Sequence, residues 1–193
     1  MLRRLYDWTL SLAERRDALR VLAVVSFAES SVFPIPPDVL MIPMILAAPR
    51  RAFLIAGVAT VASVLGGVLG YALGAFFFDT VGAPVLGFYG YGDKFAEFRA
   101  SYNEWGAWAV LIAGITPFPY KVITILSGVT GLDFVVFSVA SVVARAARFF
   151  LVAVLLWKFG PPVRVFIEQR LGLMAALFLA LLLGGFVVAK VLS

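Results

Sequence analysis

The sequence predicts an all-α integral membrane protein built as an inverted repeat, each half a re-entrant helical hairpin followed by a transmembrane helix. Three observations carry that prediction. The first is composition: 63% of the 193 residues are hydrophobic and only 14% are charged, whereas soluble domains run near 45–50% apolar and about 25% charged. The second is a pair of proline-interrupted apolar segments, each followed by an unbroken apolar stretch. The third is an uneven distribution of basic residues along the chain. A bilayer core of about 30 Å needs roughly 20 apolar residues per helical crossing, so the chain is filled by its membrane segments and has little mass for a separate soluble domain. Histidine and cysteine are absent. That excludes disulfides, thiol chemistry, imidazole acid–base catalysis and the usual zinc sites, and calls for no cofactor or metal. The formal net charge of +5 points to anionic lipid rather than nucleic acid as the partner.

Residues 1–20 are basic, with Arg3, Arg4, Arg15, Arg16 and Arg20 and leucines at helical spacing. They fit an amphipathic helix lying on the membrane surface. A signal peptide is the competing reading, but Glu29 and the prolines break the following apolar stretch early and no small-residue cleavage site follows.

Residues 21–48 are apolar apart from Glu29 and Asp38, yet contain Pro34, Pro36, Pro37 and Pro43. Proline lacks an N–H and disfavours helix in the residue before it, so Phe33-Pro34-Ile35-Pro36-Pro37 must interrupt the helix. Each half is too short to cross alone. Two short helices joined at membrane depth describe a re-entrant hairpin, which survives only where protein or a watery cavity satisfies its freed backbone groups. Residues 52–78 then make a full crossing. Gly66, Gly70 and Gly74, spaced by four, lay a flat stripe on one of its faces for close helix packing.

Residues 79–104 form a polar middle carrying Asp79, Asp93, Lys94, Glu97, Arg99 and Glu104, with Tyr89, Tyr91, Tyr102 and Trp105 suited to the membrane interface. Residues 106–132 repeat the earlier arrangement around Thr116-Pro117-Phe118-Pro119-Tyr120-Lys121, and a second crossing follows at 134–157. Residues 161–193 hold a basic loop and a final crossing at 173–192. Aligning residues 33–39 with 116–122 matches three of seven positions, with Pro34 and Pro36 over Pro117 and Pro119. A hairpin returns to its own side and a crossing changes side, so the two hairpins enter from opposite faces.

Charge counting supports this topology independently. With the N-terminus inside, ten Lys and Arg residues fall on the inner side and three on the outer, as the positive-inside rule requires. Treating the hairpins as full crossings would put Arg50 and Arg51 outside.

Five ionisable residues then remain at membrane depth: Glu29, Asp38, Lys121, Arg145 and Arg148. A charge at a helix centre costs around 2.5–3.5 kcal/mol on insertion scales, so five uncompensated ones would cost on the order of 15 kcal/mol. They are expected to share one polar site near the midplane, where inverted-repeat transporters bind their cargo. Arg145 and Arg148, three apart on one helix face, suit a phosphate group. Glu29 and Asp38 are the carboxylates able to carry protons, and Lys121 either contacts substrate or caps the hairpin turn. The plainer alternative is that these charges only pair with one another and hold the hairpins together. Three cations against two carboxylates favour an anion. No nucleophile, histidine or metal constellation suggests an enzyme.

Together, Glu29 with Phe33-Pro34-Ile35-Pro36-Pro37-Asp38, the helix ending Gly70-Tyr71-Ala72-Leu73-Gly74, Thr116-Pro117-Phe118-Pro119-Tyr120-Lys121, and Arg145 with Arg148 before Phe149-Phe150 resemble the DedA family, also called the VTT or SNARE-associated domain family, and within it the YqaA-like branch. The resemblance covers roughly residues 20–160. It implies paired re-entrant hairpins, a bacterial inner-membrane location, and movement of lipids or lipid-linked carriers such as undecaprenyl phosphate, with proton-dependent homeostasis in some members. One departure is Lys121, where the better-studied bacterial branch carries Arg in the second hairpin loop. The competing functions are a proton-coupled transporter of a small solute and a non-transporting scaffold.

Overall fold

Prolines and glycines set the ends of the helices in the computed structural model, which describes residues 17–31, 36–116, 118–160 and 162. The expected surface helix therefore lies almost wholly outside the described residues, as do the last crossing, Pro34 and Pro117. Every regular element among the described residues is helical.

Helix α1 (Ala18–Ser31) stops before the first proline cluster, and α2 (Asp38–Ala47) starts right after it. The carbonyls of Pro36 and Pro37 take the first N–H groups of α2, from Val39, Leu40 and Met41, so the prolines that end one helix open the next. Pro43 lies inside α2 and is buried, where its missing N–H leaves the Val39 carbonyl without a helical donor. A single 3₁₀ turn, Pro49–Arg51, leads into α3 (Ala52–Phe77).

Here the chain departs from its hydropathy pattern. Instead of ending at residue 78, the helical path runs through a π turn (Phe78–Gly82) into α4 (Ala83–Phe88), so that 40 residues from Pro49 to Phe88 form one helical run. Thr80 bonds back to the Phe76 carbonyl at 2.7 Å, a local partner at the point where the ladder widens. A turn with Gly90 at φ +69° then leads to α5 (Gly92–Ile115), which begins well before residue 106. The polar middle is thus largely helical. Helical hydrogen bonding is indifferent to whether the outward side chains are Asp93, Lys94 and Glu97 or leucines, so the polar boundary marks a change of surroundings and not a helix end.

The second proline cluster acts like the first. Thr116, the residue before Pro117, is extended at φ −79°, ψ 166° and closes α5, and α6 (Tyr120–Thr130) starts after Pro119. Gly131 at φ +62° ends α6. The Gly131 N–H reaches the Gly128 carbonyl and the Leu132 N–H reaches Ser127, a Schellman closure that only a left-handed residue allows. Asp133 caps the next helix by accepting from the Val136 N–H at 2.9 Å. That helix is α7 (Phe134–Gly160).

Two apolar clusters flank the middle of the molecule. One gathers Leu22 of α1, Met41 and Ile45 of α2, Ile55 of α3 and Phe149 of α7. The other gathers Val110 of α5, Tyr120 of α6, and Phe137 and Ala140 of α7. The outward faces of α3 and α7 are apolar as well, with Val61, Leu65, Val139, Val143 and Leu151 exposed. Two helical runs, Pro49–Phe88 and Phe134–Gly160, are long and apolar enough to cross a membrane.

The glycine stripe is a packing face, as its spacing predicts. A Cβ on Gly66 would strike the Phe27 carbonyl of α1, and one on Gly74 would strike the Ile125 carbonyl of α6. At Gly70 it would meet the Thr124 hydroxyl. Gly128 of α6 returns the contact against the Tyr71 carbonyl. Phe27 then Ser30 of α1 meet Gly66 then Gly70, and Thr124 then Ile125 of α6 meet Gly70 then Gly74, so α1 and α6 run in the direction of α3 where they touch it. Gly114 of α5 meets Ala144, and Thr116 at the end of α5 meets Arg148, giving α5 and α7 the same relation.

Candidate functional site

A charged group inside an apolar bundle has to find a partner of opposite sign or a ligand. Four of the five charges expected at membrane depth do so with one another. Arg145 Nη2 lies 2.7 Å from Glu29 Oε2, and Arg148 Nη2 lies 2.6 Å from Asp38 Oδ2. Each pair joins α7 to the segment around the first proline cluster, Glu29 from near the end of α1 and Asp38 from the first residue of α2. Both arginines stand near the middle of α7.

Arg145 is the largest fully buried side chain among the described residues. Its guanidinium is held on four sides. Nε donates to Ser63 Oγ of α3 at 2.5 Å and Nη2 to Glu29. Its Cζ also lies over the rings of Tyr120 and Phe149, 4.7 Å from each centroid, a contact worth about 2 kcal/mol per ring in desolvated surroundings. Ser63 also meets Ser30 Oγ at 2.6 Å, and Ser30 donates to Glu29 Oε2 at 3.0 Å. The chain Arg145, Ser63, Ser30, Glu29, Arg145 is therefore a closed ring in which each hydroxyl accepts from one neighbour and donates to the next.

The segment around the second proline cluster closes on the same place. Thr124 of α6 donates to the Ser30 carbonyl at 3.1 Å, Tyr120 donates to Ser141 of α7 at 2.6 Å, and Arg148 Nη1 donates to the Thr116 carbonyl at 3.0 Å. The extended conformation that Pro117 imposes on Thr116 turns that carbonyl out of the α5 ladder and makes it available. Lys121 sits half-buried one residue after Tyr120, and Pro119 accepts the Val122 N–H at the start of α6.

Glu29, Asp38, Arg145 and Arg148 are thus brought together, as their signs predict, with each guanidinium on a carboxylate of its own. The hydroxyl residues Ser30, Ser63, Thr124 and Ser141 were not singled out by the sequence reading, and neither was the stacking of Tyr120 on Arg145. A signal for the serines was present: a hydroxyl within an apolar helix has to bond something, and Ser63 stands alone on an otherwise apolar turn of α3.

Among the described residues the buried polar atoms without a hydrogen-bond partner include Arg145 Nη1 and Ser26 Oγ, so the most buried cation has one N–H pair unspent. An unpaired donor group in such a place costs about 1–3 kcal/mol, more when charged. Chemically, the arrangement is a set of fixed cationic donors at mid-depth in an apolar protein. It suits holding an oxyanion.

A family model for the VTT domain matches residues 35–158, a span that includes Asp38, Lys121, Arg145 and Arg148. An uncharacterized protein of Haemophilus influenzae is 40% identical over 168 residues, covering 85% of this chain and 87% of its own length. An uncharacterized protein of Histophilus somni is 40% identical over 148 residues, 77% of each chain. No solved structure matches.

Proposed function

The chain belongs to the VTT-domain, or DedA, family of membrane proteins, and from that premise we propose that it is a transporter moving a lipid or lipid-linked phosphate, a polyprenyl phosphate or a phospholipid, across a bacterial inner membrane. In this reading α1 with α2, and α5 with α6, are two re-entrant hairpins of an inverted repeat, entering from opposite faces, with the N-terminus cytoplasmic. The lipid tail stays in the bilayer while its phosphate passes between the hairpin tips, held by Arg145, Arg148 and Lys121. Glu29 or Asp38 takes up a proton as the phosphate replaces it.

The observation that carries the proposal is the convergence of both proline-bounded segments on two arginines near the middle of a helix long enough to span the bilayer. The shared direction of α1 with α3 and of α5 with α7 supports the hairpin topology, because a chain that runs twice in one direction must return between. The test is reconstitution of the full chain in liposomes with a labelled polyprenyl phosphate or phosphatidate, following the label's accessibility from outside. Arg145→Ala and Arg148→Ala are expected to abolish movement. Movement at the wild-type rate in both would sink the mechanism.

The pairing of both carboxylates with both arginines favours a second reading, a scaffold whose charges serve assembly alone. Removing a whole pair, Asp38→Asn with Arg148→Gln, separates the two: a scaffold keeps its function, and a transporter loses it.

A further inference from the structure

The two arginine pairs have the same chemistry and different surroundings. Resting on the anion-carrier reading above, we infer that they divide the work: Arg145 keeps Glu29 throughout and offers its unspent Nη1 to an oxyanion, while Arg148 exchanges Asp38 for that same oxyanion.

Burial separates the pairs first. The Arg145 side chain is 1% exposed and Glu29 15%, whereas Arg148 and Asp38 are each 20% exposed. Hydrogen bonding separates them further. Glu29 Oε2 receives both ends of the serine ring, from Arg145 and from Ser30, so releasing Arg145 would unravel bonds on α1, α3 and α7 together. Among the described residues, Asp38 receives one side-chain bond, from Arg148. When that bond opens, the guanidinium stays oriented by the Thr116 carbonyl.

Helix position makes the third difference. Asp38 is the first residue of α2, at the positive end of the helix dipole, where a carboxylate has a favourable place without its arginine. Glu29 lies in the last turn of α1, at the negative end, and depends on Arg145 for its compensation. One carboxylate can let go and the other cannot.

Arg145 then has a donor to give without breaking a bond it already makes. Nε and Nη2 are bonded and two aromatic rings pack on the group, while Nη1 is buried with no partner. A group that only donates calls for an acceptor. Residues three apart on a helix face are neighbours, about 5–6 Å between Cβ atoms, so one tetrahedral oxyanion reaches Arg145 Nη1 and the nitrogen that Arg148 frees. The ligand class is a phosphate monoester, whose several oxygens accept from two guanidinium groups at once.

The experiment uses the purified full chain in nanodiscs of zwitterionic lipid, with dodecyl phosphate and inorganic phosphate as probes, reading affinity by calorimetry and Tm by thermal unfolding. Wild type is expected to bind dodecyl phosphate. Asp38→Asn is expected to bind it at least about threefold more tightly, since the competitor is gone, with Tm within about 2 °C of wild type, as for a partly exposed pair. Glu29→Gln is expected to lower Tm by on the order of 10 °C and to bring no tightening. Should Glu29→Gln fail to fold, Ser63→Ala reports on the same ring, with a fall in Tm of about 3 °C and weaker dodecyl phosphate binding. Tightening in Glu29→Gln instead of Asp38→Asn, equal losses of Tm in the two, or Ser63→Ala binding like wild type would each overturn the division of work. Wild type binding neither probe would overturn the carrier reading beneath it. Inorganic phosphate binding as tightly as dodecyl phosphate would keep the division of work and replace the lipid headgroup by free phosphate.

Discussion

Helices α3 and α7 are similar in length and apolarity, yet they hold their neighbours by different means. α3 presents glycine: its Gly66, Gly70 and Gly74 face lets the backbones of α1 and α6 approach until no Cβ would fit. α7 presents charge: Arg145 and Arg148 reach across to Glu29, Asp38 and the Thr116 carbonyl. In a bilayer there is little hydrophobic drive between helices, so contact has to come from close packing or from polar bonds. α3 relies on the first and α7 mainly on the second. Close packing fixes a position and does nothing else, while polar bonds can also be exchanged with a ligand, and that is why the candidate site lies on α7.

That contrast can be broken at four places. The largest effect is expected at Arg145→Ala, which leaves the buried Glu29 carboxylate without its cation and should cost about 3–5 kcal/mol, seen as a fall in Tm. Replacing both partners, Glu29→Gln with Arg145→Met, should restore much of that stability while leaving transport lost; a double variant as unstable as the single would show that the charges are not coupled. Next comes Gly74→Leu, where the obstacle is the Ile125 carbonyl of the α6 backbone and not a movable side chain. A loss of about 1–3 kcal/mol is expected in the same unfolding assay, and wild-type stability would mean that α3 and α6 do not touch there. Tyr120→Phe keeps the ring on Arg145 and removes the hydroxyl bond to Ser141, so a cost of about 1 kcal/mol is expected. The smallest effect belongs to Arg20→Ala. Its pair with Asp17 at 3.2 Å is solvent-exposed on both sides, and unfolding should be unchanged within error, unlike the same removal at Arg145.

Much of this was legible in the sequence. Proline chemistry placed the breaks, and α1 and α2 end and begin on either side of Pro34, Pro36 and Pro37 as α5 and α6 do around Pro117 and Pro119. Glycine spacing announced the packing face of α3. The signs of the buried charges, carboxylates in one half and arginines in the other, announced that the halves meet. Three things were not legible. Hydropathy suggested a helix boundary near residue 106, but α5 starts at Gly92, because a helix continues through polar residues once it leaves apolar surroundings. Which arginine takes which carboxylate is invisible in sequence, since either pairing satisfies the same charge count. The serine ring is hidden for a related reason: a hydroxyl in an apolar helix signals that Ser63 must bond something, but only the fold shows that its partners are Ser30 and Arg145.

The sequence by itself determined the class of environment, the points where helices must stop, and the presence of a charged centre in an apolar protein. Those follow from properties local to a residue or its near neighbours: transfer cost, a missing N–H, a missing Cβ. Tertiary structure alone decided that Arg145 is enclosed by Ser63, Glu29, Tyr120 and Phe149 with Nη1 left unspent, while Arg148 and Asp38 remain partly open. The strength and exchangeability of a buried ion pair depend on what else surrounds it, and for Arg145 three helices distant in sequence, with Phe149 of its own helix, supply those surroundings.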